Sequence, residues 1–289
     1  MLTDRRTSAL RLSGAVLAAG LIAGITSPAS AAGDPTPLKY VALGDSVAGG
    51  IGAGPSRDSV NGCFADEAET RRIANHSAAY PVRVASALKA NLDFQAYCGA
   101  NVRAVKNTQL RTLSKATDLV TVQVGANDFG YAKVLEKCVK GAFGSVWECN
   151  WNIDRITLQY RFNLPGRLDG LYEEINERKG KNTRVIVVGY PRIVAPDSTA
   201  CLNDGVMPRS THQRMTRAAT ALNATLKAEA LEKGFDFVDP TPSFKGHEVC
   251  GDPAWVNGIK WPHLVDSFHP NTAGHRALGW LVWQKVKPA

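Results

Sequence analysis

Three kinds of sequence feature are absent from this chain, and each absence argues against a class of protein. Beyond residue 25 no apolar run is long enough to cross a bilayer, which argues against a polytopic membrane protein. Gly50 and Gly52 do not open a dinucleotide-binding loop, because Pro55 stands where the third glycine is needed, and no G-K-[ST] motif occurs. Lysine and arginine are scattered and form no basic run interleaved with aromatic residues, so no nucleic-acid partner is predicted.

Cysteine is scarce, and its spacing argues against a zinc site. The six cysteines form no C-x2-C pair and no cluster with histidine, so we predict no metal and no cofactor. An even number is typical of disulfides in an exported protein. Pairing in chain order keeps every bridge local, and we predict the three bridges Cys63–Cys98, Cys138–Cys149 and Cys201–Cys250.

The first 31 residues have the pattern of a secretory signal peptide. Arg5 and Arg6 precede an apolar segment over residues 10–25, and a run of small residues ends at Ala31. The apolar segment is short for a membrane span and contains Arg11, which disfavours the alternative of an N-terminal anchor. We therefore predict a secreted, extracellular protein, with a signal peptide over residues 1–31 and a single domain over residues 32–289.

The composition is that of an ordinary globular domain. Of the 289 residues, 44% are hydrophobic and 21% are charged, which suffices for one large core. The formal charge of +8 is spread along the chain, and we interpret it as a contribution to solubility. We expect a monomer.

Short apolar segments alternate with longer segments of helical character. The apolar segments are residues 38–43, 92–98, 118–124, 183–188 and 235–238, and the helical segments are residues 78–90, 102–113, 164–178, 208–233 and 272–286. The alternation predicts one α/β domain with a parallel sheet covered on both faces. Residues 129–163 show no clear period, and we interpret them as an irregular, disulfide-linked insertion.

Glycine and polar residues follow the predicted strands. Open parallel sheets bind their ligands at the carboxyl ends of the strands. The segments are Gly44-Asp45-Ser46 after the first strand, Cys98-Gly99-Ala100-Asn101 after the second, Gly125-Ala126-Asn127-Asp128 after the third, and Asp266-Ser267-Phe268-His269 after the last. We expect these four loops to face one cleft.

Ser46 by itself does not identify the chemistry. Its loop is not the nucleophile elbow G-x-S-x-G, because Ala48 stands at the second glycine position. From this loop alone, a helix cap and a nucleophile are equally good interpretations. A nucleophilic serine needs a base, a group that orients the base, and oxyanion donors. His269 with Asp266 before it, and Asn127, are residues of the types that could supply them.

Taken together, the four segments resemble the GDSL, or SGNH, hydrolase superfamily. Gly44-Asp45-Ser46, Gly99, Gly125-x-Asn127-Asp128 and Asp266-x-x-His269 follow one another in the order of that family, with Val47 where the family name has leucine. The six cysteines and the segment GHEVCGDPAWVNG at residues 246–258 look more narrowly like its secreted actinobacterial lipases and esterases.

The resemblance implies a flavodoxin-like, three-layer α/β/α sandwich with five parallel strands, and an enzyme that hydrolyses esters. Carried over by motif, Ser46 is the nucleophile, His269 the general base and Asp266 the residue that orients His269. Some secreted relatives orient the histidine with a backbone carbonyl instead, and Ser267 would supply it here. Both designs stay open at this point.

The resemblance also implies an oxyanion hole and a class of substrate. The N–H groups of Ser46 and Gly99 and the side-chain amide of Asn127 are the implied oxyanion donors. Lipid esters, including phospholipids, are the first expectation, with transient contact to a lipid interface. Acetyl groups on polysaccharides come second, and a non-catalytic secreted binding protein of the same fold comes third. Four tryptophans would either line an acyl groove or pack long loops: Trp147, Trp151, Trp255 and Trp261.

Overall fold

Five parallel strands form the central sheet of the computed structural model. They are β1 (Lys39–Gly44), β2 (Asn91–Phe94), β3 (Leu119–Gln123), β4 (Arg184–Val188) and β5 (Asp236–Val238). Their order is β2-β1-β3-β4-β5, which is the flavodoxin-like order. β1 and β3 are buried along nearly their whole length, as continuous apolar strands are when both faces of a sheet are covered. The predicted α/β class is confirmed.

Helices form the other two layers. They are α1 (Tyr80–Leu88), α2 (Val102–Ala104), α3 (Tyr131–Gly141), α4 (Val146–Phe162), α5 (Leu164–Arg178), α6 (Arg209–Glu232), α7 (Thr241–Phe244) and α8 (Thr272–Val286). α1 packs against α8, whereas α4, α5 and α6 pack against one another. α5 and α8 have the predicted bounds. The helix predicted over residues 102–113 is broken into α2, a π turn (Val105–Gln109) and a 3-10 turn (Leu110–Thr112).

The structure describes residues 36–54, 78–141, 146–197, 207–260 and 263–287, and one compact unit spans Pro37–Ala289. The predicted signal peptide lies outside the described residues. Cys98 and Cys250 are disulfide-bonded, but their predicted partners, Cys63 and Cys201, lie outside those ranges as well. Within them, no helix has both the length and the hydropathy that a membrane span requires.

Residues 129–163, predicted to be irregular, are largely helical in their described part. The predicted disulfide between Cys138 and Cys149 is confirmed, and it joins α3 to α4. α4 buries Ile156 and Tyr160 on one side, but it also carries large apolar residues on its exposed side. A second apolar face obscures the single hydrophobic stripe by which a surface helix is recognised. The prediction of an irregular insertion was therefore wrong.

A buried glutamine holds the last residue of β1. Gln109 accepts a hydrogen bond from the N–H of Gly44 at 2.8 Å and donates one to the carbonyl of Gly44 at 2.9 Å. β2 ends at Phe94, which pairs with Ala42, so no residue of β2 lies opposite Gly44 to complete the ladder. The carbonyl of Gly44 also accepts from the N–H of Tyr97 at 3.2 Å, so Gln109 is one of two residues from outside the sheet that hold the start of the loop carrying Ser46.

Loss of this side chain should destabilise the protein. Gln109→Ala removes two buried hydrogen bonds of Gly44, and an unsatisfied buried group costs about 1–3 kcal/mol. We expect the free energy of unfolding, measured with urea, to fall by about 2–4 kcal/mol. Gln159→Ala is the control, because within the described residues its side chain on α4 bonds only the exposed Asn163 amide, and it should cost less than about 0.5 kcal/mol. Equal effects of the two substitutions would contradict the assignment.

Candidate active site

Ser46 and His269 are 223 positions apart in sequence and meet through a hydrogen bond. Ser46 lies in the loop directly after β1, and His269 lies in the loop before α8. The Nε2 atom of His269 is 2.7 Å from the Oγ atom of Ser46, which is within the reach of a general base. The loops after β1 and β3 flank the position where the strand order reverses, the usual place for a ligand in such sheets.

The other ring nitrogen of His269 contacts the main chain. Its Nδ1 atom lies 3.1 Å from the carbonyl oxygen of Ser267. A carbonyl can only accept, so Nδ1 donates its proton there, and Nε2 is left to accept one from Ser46. This hydrogen bond takes the place of the one predicted to Asp266. The Oδ1 atom of Asp266 instead accepts from the N–H of Gly52 at 3.2 Å, so its carboxylate supports the loop that follows Ser46.

The loop that carries His269 is held against the glycine-rich loop after Ser46. Gly52 has a φ of +84°, and a Cβ at this position would lie 2.8 Å from the Cβ of His269. The side chain of Asn257 donates to the carbonyls of Gly52 and Asp266 at 3.1 and 3.2 Å. Its backbone N–H donates to the carbonyl of His269 at 2.9 Å. Asn257 was missed in the sequence, because no motif marks a side chain that bonds only to the main chain.

The three residues predicted as oxyanion donors line the same cavity as His269. Asn127 lies on the 3-10 turn after β3, and its Nδ2 atom donates to the carbonyl of Ala100 at 3.1 Å. An amide nitrogen carries two N–H bonds, so one is left for another acceptor. In the described part of the chain, the backbone N–H groups of Ser46 and Gly99 have no hydrogen-bond acceptor.

Asp45, the residue before Ser46, is buried and doubly hydrogen-bonded. It accepts from the hydroxyl of Tyr190 at 2.5 Å and from the N–H of Val47 at 3.0 Å. Burial raises the pKa of Asp45 to about 7, although both hydrogen bonds oppose the rise. The amide of Asn223 exchanges two hydrogen bonds of 2.8 Å with the backbone of Tyr190. The turn that carries Ser46 is thus fastened to the loop after β4, through residues that no sequence pattern singles out.

The pKa of His269 is lowered from 6.5, chiefly because burial disfavours the charged imidazolium. The hydrogen bond to Ser267 and the negative charge of Asp266 oppose this shift. The ring is therefore neutral at pH 7 and able to accept a proton.

A cavity of about 390 Å³ lies beside Ser46 and His269. Its lining includes the apolar side chains of Leu135, Ile193 and Leu222. The volume falls in the usual range of small-molecule sites. The elements packed around the end of the sheet therefore leave room for a substrate group next to the serine.

Three of the four tryptophans do not line this cavity. Trp147 and Trp151 are exposed on α4, and Trp255 stacks on His247 with 3.9 Å between the ring centroids. The acyl-groove interpretation was therefore wrong for these three. Trp261 lies outside the described residues.

Comparison with known proteins agrees with this geometry. The model of the GDSL-like lipase/acylhydrolase family matches residues 42–277. The chain is 34% identical over 264 residues to Lipase 1 of Streptomyces coelicolor, covering 91% of this chain and 92% of that protein.

Two crystal structures are similar over most of their length. Phospholipase A1 from Streptomyces albidoflavus has a TM-score of 0.74 and 31% identity, over 87% of this chain and 100% of that one. An extracellular lipase from Streptomyces rimosus has a TM-score of 0.73 and 28% identity, over 86% of this chain and 98% of that one. The chain belongs to the GDSL-like lipase/acylhydrolase family, has the SGNH hydrolase fold, and is a carboxylic ester hydrolase.

Proposed function

We propose that the protein is a secreted serine hydrolase of lipid esters, with Ser46 as the nucleophile and His269 as the general base. The observation that carries the proposal is the 2.7 Å contact between these side chains beside a largely apolar cavity. Ser46 attacks the ester carbonyl while His269 takes its proton. His269 returns that proton to the leaving alcohol, and a water molecule, activated in the same way, releases the acid from the acyl-enzyme.

In this mechanism the carbonyl of Ser267 orients His269. It accepts from Nδ1 at 3.1 Å and so selects the tautomer whose Nε2 faces Ser46. Asp266 acts as a supporting charge: it favours the imidazolium that forms during attack, and its hydrogen bond to Gly52 keeps the two loops together. The catalytic groups are thus Ser46 and His269, and the carboxylate of Asp266 assists them electrostatically.

The developing oxyanion is stabilised by three donors. They are the backbone N–H groups of Ser46 and Gly99, and the N–H of Asn127 that does not bond to Ala100. Donors fixed before the reaction begins stabilise a transition-state charge without reorganising, and such a hole is commonly the largest electrostatic contribution to acyl transfer.

The cavity supports a lipid acyl group as the substrate. A methylene is close in size to a water molecule, whose share of liquid volume is about 30 Å³. A cavity of about 390 Å³ therefore has room for an acyl chain of many more carbons than acetyl. An acetyl group would leave most of the apolar lining in contact with water, which disfavours a polysaccharide deacetylase.

A phospholipid is the more specific candidate within this class. Lys133 lines the cavity and has no ion pair within the described ranges, so its ammonium group can pair with a phosphate. The similarity to a phospholipase A1 supports the same substrate. Export is supported by the predicted signal peptide, by the disulfides, and by the similarity to a lipase described as extracellular.

Asp266→Asn distinguishes the two ways of orienting His269. Asparagine keeps an oxygen for the N–H of Gly52 but removes the charge. If the Ser267 carbonyl orients the ring, kcat on a soluble ester at pH 8 should fall tenfold or less, whereas a Ser-His-Asp triad would lose about 10⁴-fold. Asp239→Asn, on the exposed turn before α7, is the control and should leave kcat unchanged. If kcat of Asp266→Asn instead fell by about 10⁴-fold, Asp266 would be the residue that orients His269, as in a Ser-His-Asp triad.

Asp266→Asn should also shift the pH profile of kcat/KM. Hydrolysis needs the neutral imidazole, so kcat/KM falls as the pH drops through the pKa of His269, which lies below 6.5. Because the charge of Asp266 raises this pKa, its removal should move the acid limb of the profile to lower pH. A limb that moves to higher pH would contradict the electrostatic role.

Asn127→Ala tests the oxyanion hole. We expect kcat to fall by about 10² to 10³, with little change in KM, because the donor acts mainly on the transition state. Asn176→Ala is a matched control: its Nδ2 atom also donates to a backbone carbonyl, that of Lys233, but far from Ser46 in the fold. If both variants keep full kcat, Asn127 is not an oxyanion donor.

A rate profile over p-nitrophenyl esters, from acetyl to palmitoyl, tests the substrate class. We expect the maximum of kcat/KM at an acyl chain well longer than acetyl, given the volume and the apolar lining of the cavity. Ala219→Trp, which fills the cavity from α6, should move the maximum to shorter chains, whereas Ala224→Trp, exposed on the same helix, should not. A maximum at acetyl in the wild-type protein would overturn the lipid assignment.

A further inference from the structure

We propose that the exposed side of α4 is a docking surface for lipid aggregates with an anionic component. The surface, here called the α4 outer face, consists of four large apolar side chains: Trp147, Trp151, Leu158 and Phe162. They are 73%, 52%, 53% and 73% exposed. At 3.6 residues per turn, the four positions fall within an arc of about 60° on the helix. The proposal builds on the lipid-ester function proposed above.

α4 is unusual in being apolar on two opposite sides. Ile153, Ile156 and Tyr160 are buried against the rest of the domain, on the side away from the α4 outer face. A surface helix normally presents a polar face to water, and contiguous exposed apolar patches mark interaction sites. Tyr160 also lines the cavity beside Ser46. The same helix therefore forms part of the cavity wall and carries the apolar surface.

The charges around the α4 outer face match an anionic lipid surface. Arg155 and Arg161 are exposed on either side of the apolar arc, and neither has an ion-pair partner in the part of the chain that the structure describes. The acidic residues nearby are already paired with bases: Glu148 with Lys137, and Asp154 with Arg214. Tryptophan, phenylalanine and leucine flanked by arginine are typical of helices that lie in the interfacial region of a bilayer.

A second copy of the chain is a poorer occupant. The α4 outer face is about 22 Å long and roughly 10 Å wide, from the rise and diameter of a helix. A stable dimer buries about 800 Å² of accessible surface on each partner, which is more than these four side chains supply by themselves.

Vesicle sedimentation tests the proposal. The full chain with Ser46→Ala, which leaves the lipid intact, is mixed with vesicles of phosphatidylcholine containing about one-quarter phosphatidylglycerol. Replacing all four residues of the α4 outer face by glutamine, a good helix former, should weaken binding at least tenfold. The matched control replaces two other exposed large apolar residues, Leu231 and Trp280, each 56% exposed, and should bind like the parent. Equal binding by the fourfold variant and the parent would overturn the proposal.

Two further measurements identify the occupant. Arg155→Gln with Arg161→Gln should weaken binding to the anionic vesicles at least threefold but leave binding to pure phosphatidylcholine unchanged. Sedimentation velocity should show a monomer for the parent. A dimer that the fourfold substitution dissociates would instead make this face a contact between copies and overturn lipid docking.

The test is separable from the proposed function. With Ser46 intact, the fourfold variant should hydrolyse a soluble ester at the wild-type rate, because none of its changes touches the cavity, and it should lose at least tenfold on vesicle lipid. If the wild-type protein hydrolyses no ester, the proposed function fails, while the comparison of vesicle binding still decides the docking proposal. Unchanged activity of the fourfold variant on vesicle lipid would count against docking alone.

Discussion

The site depends on the hydrogen bond between Ser46 and His269, and the surrounding loops hold these two residues in contact. Two loops from opposite ends of the domain sequence must bring the Oγ atom of Ser46 and the Nε2 atom of His269 to 2.7 Å. The histidine loop has little regular structure to hold it, only a 3-10 turn (Leu264–Asp266) and a β-bridge between Val256 and Pro270. The serine loop begins at a residue whose backbone is held by the buried Gln109. The histidine loop is held by Asn257, which makes four hydrogen bonds to the main chain, and by the close approach that Gly52 permits. Side-chain to main-chain hydrogen bonds thus hold the site together with a short stretch of backbone pairing.

The acidic groups around this contact have different physical roles. Asp45 lies next to the serine, but burial brings its pKa to about 7, so it carries only part of a negative charge at neutral pH. Asp266 is also buried, and its charge acts on His269 through space while its oxygen bonds to Gly52. The carbonyl of Ser267 at Nδ1 determines which ring nitrogen of His269 carries the proton. In the proposed mechanism, the main-chain carbonyl of Ser267 orients the ring of His269, and the side chain of Asp266 supplies the negative charge near the ring.

Sequence patterns predicted the features that depend on residues close together in the chain. The strands and the helices α5 and α8 have simple periods, so their existence and most of their bounds could be predicted. Ser46, Gly99, Asn127 and His269 could be assigned because each sits in a short motif and the motifs occur in a fixed order. The prediction failed for α4, where burial on one side and exposed apolar residues on the other hide the helical period.

The contacts that could not be predicted join residues that are distant in sequence. The contacts of Tyr190 with Asp45 and of Asn257 with Gly52 join residues 145 and 205 positions apart, and an isolated tyrosine or asparagine gives no sign of them. The choice between Asp266 and Ser267 as the partner of His269 depends on one backbone turn, which the D-x-x-H pattern does not specify.

In the proposed mechanism, His269 activates Ser46. The most direct test is covalent labelling with a fluorophosphonate, followed by mass spectrometry of the peptides and a comparison of labelling rates with His269→Ala. We expect a single adduct on Ser46 in the wild-type protein, and labelling at least a hundredfold slower in the variant. An adduct on a different residue, or undiminished labelling of Ser46 without the histidine, would contradict it.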